Sequence, residues 1–233
     1  MRPGSTFVDS IESETAEPNF PPLTEELAAA LVANQIAATS EQVELLDQYR
    51  RLLWLWNVRM NLTRHTTLDK FVGRDVVDSY ELSKRLEKGS RILDVGTGGG
   101  VPGVVLAILR PDLSVSLSDS TQKKARAVDE MVGELGLPVR VFPNRAEEVL
   151  EITTFDVLTA RALAPLAKVL TWLRPHWDAF DELLMIKGPS WTEEQEGARQ
   201  AGLMKNLQLK KAATYRAPIT GAESVILSIR RCE

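Results

Sequence analysis

Cysteine and histidine are nearly missing from this chain. One cysteine in 233 residues, Cys232, has no partner for an internal disulfide. His65 and His176 are the only histidines, and with no spacing suited to zinc they argue against a metal site. Long apolar runs are also missing. Nothing nears the ~20 residues needed to cross a bilayer, and the N-terminus lacks the basic-then-apolar layout of a signal peptide. No membrane partner is therefore expected, and a cytoplasmic, monomeric protein is the plain expectation. There are no internal repeats and no low-complexity tracts. What is present, at 44% hydrophobic residues, can bury one full core with room for a small appended piece.

Charge is unevenly spread. Residues 1–48 hold nine acids against the single base Arg2, a balance of −8; since the whole chain carries −4, residues 49–233 carry +4. Ten Lys or Arg accompany five acids between 50 and 91, and residues 197–222 hold five bases and no acid. Such patches bind phosphate even when the total is negative, although ordinary solvated faces share the composition.

The densest signal is Arg91-Ile92-Leu93-Asp94-Val95-Gly96-Thr97-Gly98-Gly99-Gly100-Val101-Pro102-Gly103. It reads as a buried strand, a tight turn and a helix start, with Pro102 in the first helical turn, where its missing N–H costs nothing. Glycines are needed where the backbone takes positive φ or touches a ligand. Gly98, Gly100 and Gly103 fit the dinucleotide pattern G-x-G-x-x-G, with Asp119 spaced to hold a ribose hydroxyl. Asp94, Gly96, Gly98 and Gly100 also fit D-x-G-x-G-x-G, which resembles motif I of the S-adenosylmethionine (SAM) methyltransferases. A strand-end carboxylate suits the cationic end of a methionine moiety better than a pyrophosphate, so the second reading leads.

Taken in order, residues 1–22 read as a disordered acidic tail and residues 23–88 as a helical segment. In that segment one helix spans about Glu25 to Ala38. Thr39 and Gln42 have capping-box spacing for a second, Ser40 to Val58, and a third runs from about Leu68 to Leu86. Trp54 and Trp56 suit core packing, with a base-stacking platform as the alternative. After Gly89-Ser90, residues 89–233 alternate strand and helix through five βα units. They end in two strands, near Leu207 to Tyr215 and Glu223 to Ile229, separated by Pro218 and Gly221. The expected class is α/β: a Rossmann-like, mostly parallel seven-stranded sheet with a C-terminal antiparallel hairpin, plus an N-terminal helical extension. The terminal hairpin resembles class I SAM-dependent methyltransferases.

Ligands of open parallel sheets lie at the carboxyl ends of the strands. Those ends carry Asp94 and Gly96, Asp119 and Ser120, Ala146 and Glu147, Arg161, and Lys187. The expectation is that Asp119 chelates a ribose diol, Ala146 and Glu147 edge an adenine, and Arg161 holds an anion at the mouth.

At this point the resemblance becomes specific. Asn61-Leu62-Thr63, Asp78-Ser79, the glycine run, Asp119-Ser120 with Lys123-Lys124, Arg145-Ala146-Glu147, Thr159-Ala160-Arg161-Ala162 and Lys187-Gly188 are similar, in this order, to the bacterial 16S ribosomal RNA guanine-N7 methyltransferases (RsmG, also called GidB). The likeness covers roughly residues 40–230. It implies methyl transfer from SAM to N7 of a guanine in 16S rRNA, guanine 527 in rRNA numbering, with the small ribosomal subunit as partner. It implies SAM contacts from Gly96, Val101, Asp119, Ser120, Thr121, Ala146, Glu147 and Arg161, joining Asp94 and Gly98 of the glycine motif. It further implies that Asn61, Arg64, Arg74, Arg161 and Lys187 face the RNA, with residues 23–88 as the RNA-facing segment. The expected catalytic groups are Arg161 and Lys187, holding the RNA backbone or guanine O6. Where the family usually shows Arg-His before Asp-Ser, this chain has Arg74-Asp75, and an acid there is expected to oppose phosphate. Guanine N7 carries a free lone pair and loses no proton on attack, so the lack of an obvious catalytic His or Cys fits the chemistry.

Overall fold

The computed structural model describes residues 19–217, 221 and 223–232. Residues 1–18 of the expected tail, and Pro218 of the last turn, lie outside the described residues. Residues 19–22 lie against the second helix: the Pro21 carbonyl accepts from Arg50 Nη2 at 2.7 Å, and Phe20 meets Trp54 edge-on at 5.8 Å.

Helix α1 (Thr24–Ala33) stops short of Ala38. Gln35 takes the left-handed conformation (φ 59°), and the Ile36 N–H closes back on the Leu31 carbonyl at 2.9 Å, burying Ile36. Helix α2 (Ser40–Arg59) opens on the predicted capping box. Thr39 Oγ1 accepts from Gln42 N–H, and Gln42 Oε1 accepts from Thr39 N–H. Gln42 also donates Nε2 to the carbonyls of Ile108 and Leu109, satisfying the exposed end of another helix. Trp54 is buried and gives its Nε1–H to the His65 carbonyl, so it packs in the core and offers no stacking face. The third predicted helix is α3 (Leu68–Lys70), a π turn over Phe71–Val76, and α4 (Val77–Ser83).

Strands β1 (Arg91–Val95), β2 (Ser114–Ser118), β3 (Arg140–Phe142), β4 (Phe155–Arg161) and β5 (Phe180–Lys187) run parallel. Strand β7 (Glu223–Arg231) is antiparallel between β5 and β6 (Leu207–Arg216), giving the order β3-β2-β1-β4-β5-β7-β6. Helices α5 (Gly103–Leu109), α6 (Gln122–Glu134), α7 (Ala146–Leu150), α8 (Leu166–Leu173) and α9 (Trp191–Gln200) complete the chain. A 3-10 turn over Arg174–Ala179 leads into β5. Ser190 precedes α9, but its side chain makes no cap hydrogen bond.

Alternation along β1 sends Ile92 to one side of the sheet and Leu93 and Val95 to the other, as expected of a strand buried on both faces. The first side holds one cluster in which Leu46, Leu53, Phe71 and Val76 of the N-terminal helices meet Val104, Leu117 and Ile226. The second packs Leu158, Leu183 and Leu227 against Leu166, Leu170 and Leu173 of α8. Helices from before residue 88 therefore share a core with the sheet. Through Tyr49 and Leu53, α2 lies against Gly99 and Gly100, just past the carboxyl end of β1.

Candidate active site

The glycine turn is built around Asp94. Its Oδ2 accepts from Thr97 Oγ1 at 2.6 Å and from the Gly103 N–H at 3.0 Å, and Oδ1 accepts from Thr159 Oγ1 at 3.1 Å. Asp94 is wholly buried and is not among the residues lining the hollows beside the turn, where its carboxylate has a structural duty. It ties the turn to the start of α5 and to β4. Burial pushes its carboxyl up to about 6, with the hydrogen bonds from Thr97, Gly103 and Thr159 pulling the other way. Gly103 permits this geometry: a Cβ there would lie 2.0 Å from Leu117 Cδ2 and 3.0 Å from Asp94 Oδ2. From the N-terminal side, buried Tyr49 donates its hydroxyl to the Gly99 carbonyl at 2.8 Å. Burial, and then Asp75, hold the Tyr49 pKa well above its ordinary value, so the phenol keeps its proton.

Two adjoining hollows flank the turn. The larger, about 340 Å³, is lined by Gly96, Gly98, Val101, Asp119, Ser120, Thr121 and Arg161, all expected from the sequence. The smaller, about 80 Å³, is lined by Ala146, Glu147 and Trp172 and shares Gly96, Asp119 and Ser120. Leu163 lies between them, its Cδ1 only 2.3 Å from where a Gly96 side chain would begin. Asp119 Oδ2 accepts from the Gly98 N–H at 2.9 Å and Oδ1 from the Thr121 N–H at 2.7 Å, fixing the carboxylate at the rim of both. A Cβ on Gly98 would meet nothing nearer than the Gly96 carbonyl at 4.0 Å and would fill the cradle itself. An open glycine floor, a rim carboxylate and an aromatic and apolar recess fit the amino-acid, ribose and adenine parts of SAM. Tyr49, Leu163 and Trp172 were missed in the sequence, because an isolated apolar or aromatic residue carries no spacing signal.

A cleft of about 700 Å³ continues from the larger hollow, sharing Leu62, Thr63, Arg161 and Ala162. It brings together Arg64, Arg74, Arg161 and Lys187 of the expected RNA-facing set; exposed Asn61 does not line it. The four cations are not equivalent. Arg161 donates Nη2 to Asp75 Oδ1 at 2.6 Å and Nη1 to Asp78 Oδ2 at 3.2 Å. Burial disfavours its charge, but Asp75 and Asp78 outweigh that and hold its pKa above the ordinary value. Lys187 donates to the Ala164 carbonyl and to Glu194 Oε2, both at 2.7 Å, and its side chain is 10% exposed. Both expected catalytic cations are thus engaged within the protein. Among the described residues Arg74 makes only long contacts, 3.4 Å to Ser224 and 3.6 Å to Asp78, and Arg64 is exposed.

Asp75 corrects the expectation drawn from its sequence position. It is 0% exposed, its Oδ1 taking Arg161 and also His65 Nδ1 at 2.7 Å, so its charge is answered internally and does not face phosphate. Asp78 accepts further from the Tyr215 hydroxyl at 2.7 Å, so one turn of helix, the end of β4 and the end of β6 meet on two buried carboxylates. Burial and then Asp78 raise the Tyr215 pKa, keeping it a donor. Among the described residues, no group of His, Cys, Asp and Glu is arranged to hold a metal ion, and no helix is long and apolar enough to cross a membrane.

A family model described as rRNA small subunit methyltransferase G matches residues 42–220. The ribosomal RNA small subunit methyltransferase G of Rhodopirellula baltica is 48% identical over 170 residues, 73% of this chain and 74% of that one. Its namesake from Mycolicibacterium paratuberculosis is 30% identical over 234 residues, 97% and 92% of the two chains. Among solved structures, M. capricolum TrmK in complex with S-adenosylhomocysteine superposes with a TM-score of 0.52 at 15% identity, covering 66% of this chain and 67% of that one. That likeness shows the class I SAM methyltransferase fold, as expected from the glycine turn and the terminal hairpin.

Proposed function

We propose a reaction for a chain that belongs to the rRNA small subunit methyltransferase G (GidB) family. The protein is a SAM-dependent methyltransferase of 16S ribosomal RNA. Its target is N7 of a single guanine, guanine 527 in rRNA numbering, presented by the small ribosomal subunit to a monomeric, cytoplasmic enzyme. One observation carries this reading: a SAM-shaped hollow opens, past Thr63, Arg161 and Ala162, into a cleft lined by cations.

SAM, when bound, supplies an electrophilic sulfonium methyl. The chain supplies position. Asp119 takes the ribose diol, the Gly96–Gly98 backbone and Thr121 lie along the amino-acid part, and Ala146 and Glu147 edge the adenine beside Trp172. Arg64 and Arg74, the loosely held cations, take phosphates of the RNA. Arg161 and Lys187 act as positioning residues that set the walls on either side of the junction. Residues 89–233 hold the cofactor and residues 23–88 form the RNA-facing wall. Because N7 attacks with a lone pair, in-line placement in a flipped or unpaired base replaces general-base catalysis.

The test is radiolabelled methyl transfer from SAM to small subunits from a strain lacking the endogenous N7 methylation, followed by mapping of the label. Label on one guanine N7 supports the reading. Label elsewhere in the 16S RNA, or on a protein, overturns the base assignment.

A further inference from the structure

We propose that His65 is the group that reads the Watson–Crick edge of the target guanine and stabilises the transition state for methyl transfer, with Asp75 as its positioning partner. This rests on the guanine-N7 reading above. His65 belongs to a connector between two helices, yet it is held at three points. Its N–H donates to Thr63 Oγ1 at 2.9 Å, its carbonyl accepts from Trp54 Nε1 at 3.0 Å, and its Nδ1 meets Asp75 Oδ1 at 2.7 Å. A loop residue fixed this firmly, with its ring still 27% exposed in the cleft, is placed for contact with a ligand.

The chemistry follows from which nitrogen is committed. Asp75 Oδ1 already accepts from Arg161, so a carboxylate there accepts from the imidazole too, and Nδ1 carries the hydrogen. Nε2 has no partner among the described residues, and in the neutral ring it offers a lone pair to the cleft. Arg161 lines both the cofactor hollow and the cleft, and it shares its oxygen with His65, so the imidazole stands beside the point where the two cavities join. Guanine presents donors, N1–H and the 2-amino group, on the edge away from N7. In the reaction the N7 lone pair forms the new N–C bond as the S–C bond breaks, its electron pair staying on sulfur. No proton leaves, and the positive charge passes from sulfur to the purine. The purine N1–H becomes a stronger donor as that charge develops, so a neutral acceptor on it binds the transition state more tightly than the ground state. An adenine, with an acceptor at N1, gains nothing from the same contact.

The experiment compares wild type, His65→Gln and His65→Met, all as the full chain, on unmethylated small subunits. Gln keeps an amide N–H for Asp75 and an oxygen acceptor for the base; Met fills similar volume with neither. SAM affinity by calorimetry and the melting temperature are measured alongside kcat and KM. The expected result is a kcat lower by roughly tenfold to hundredfold for His65→Met, the scale of one hydrogen bond made in the transition state. KM and SAM affinity should move less than about threefold, and His65→Gln should recover most of the rate. Two equally slow variants, or a slow His65→Met explained by lost SAM affinity or raised KM alone, would overturn the assignment in favour of a strut. So would a His65→Met variant with wild-type kcat. Wild type that labels a position other than guanine N7 overturns the underlying reading instead, so the two failures are distinguishable.

Discussion

Asp94 shows what burial does to one carboxyl. Its folded pKa of about 6 lies above the unfolded value of 3.8, so the folded protein holds that proton more tightly between those pH values. Stability from this source is full below pH ~4 and lost as pH rises through 6, a difference on the order of 3 kcal/mol. Asp94→Asn should remove that slope, as read by urea unfolding at successive pH values; an unchanged slope would refute the attribution. Gly103→Ala addresses the same junction sterically. The added methyl would meet Leu117 at 2.0 Å, so α5 must shift, with an expected loss of about 1–3 kcal/mol and weaker SAM binding by calorimetry. At this scale Asp119 and the glycines were legible from motif spacing. The duty of Asp94 was not, because a motif says which residue is acidic and not whether solvent reaches it.

Among elements, the stretch from Leu68 to Ser83 departs furthest from its sequence pattern. Apolar spacing predicts one continuous helix, and the structure inserts a π turn over Phe71–Val76. Such turns often mark functional sites, and this one carries Arg74 and Asp75, with Asp78 one turn on. Asp78 alone receives Arg161 and Tyr215 from two different strands. Asp78→Ala would strip the buried guanidinium of one of its two carboxylates, and a loss of about 3–5 kcal/mol is expected. Chemical denaturation measures it, and a loss below about 1 kcal/mol would show that Asp75 suffices. The capping box of α2, by contrast, was readable from Thr39 and Gln42. A cap depends on residues three apart in sequence, whereas a π turn answers to partners 86 and 150 residues away.

On the scale of the whole molecule, a chain of net charge −4 binds a polyanion only by concentrating its free cations on one face. Arg64 and Arg74 line the cleft with little to occupy them, and Lys187 is neutralised by Glu194. Binding to small subunits, measured by anisotropy across a salt series, should lose about one unit of log–log salt slope with Arg64→Ala or Arg74→Ala. Lys187→Ala should leave the slope nearly unchanged and instead loosen the Ala164–Leu166 segment, which Lys187 and Glu194 hold together. Equal loss of slope in all three would mean that Lys187 leaves its partner when RNA binds.

Local order, and which motif residues lie around the glycine turn, were determined by sequence alone. The strand–turn–helix around Gly96 to Gly103, the alternation of βα units and the terminal hairpin all express periodicity and backbone freedom, which neighbouring residues decide. Tertiary structure decided the state of each charged group. Arg64, Arg74, Arg161 and Lys187 are all cations in the sequence; only packing settles that Arg161 is locked to two buried carboxylates and Lys187 to half-buried Glu194, while the other two remain loosely held. The same holds for His65, an isolated histidine in a connector, whose imidazole gains its orientation from a carboxylate on the π turn. Burial and ion pairing depend on what the fold brings within a few ångströms, and sequence distance carries little record of that.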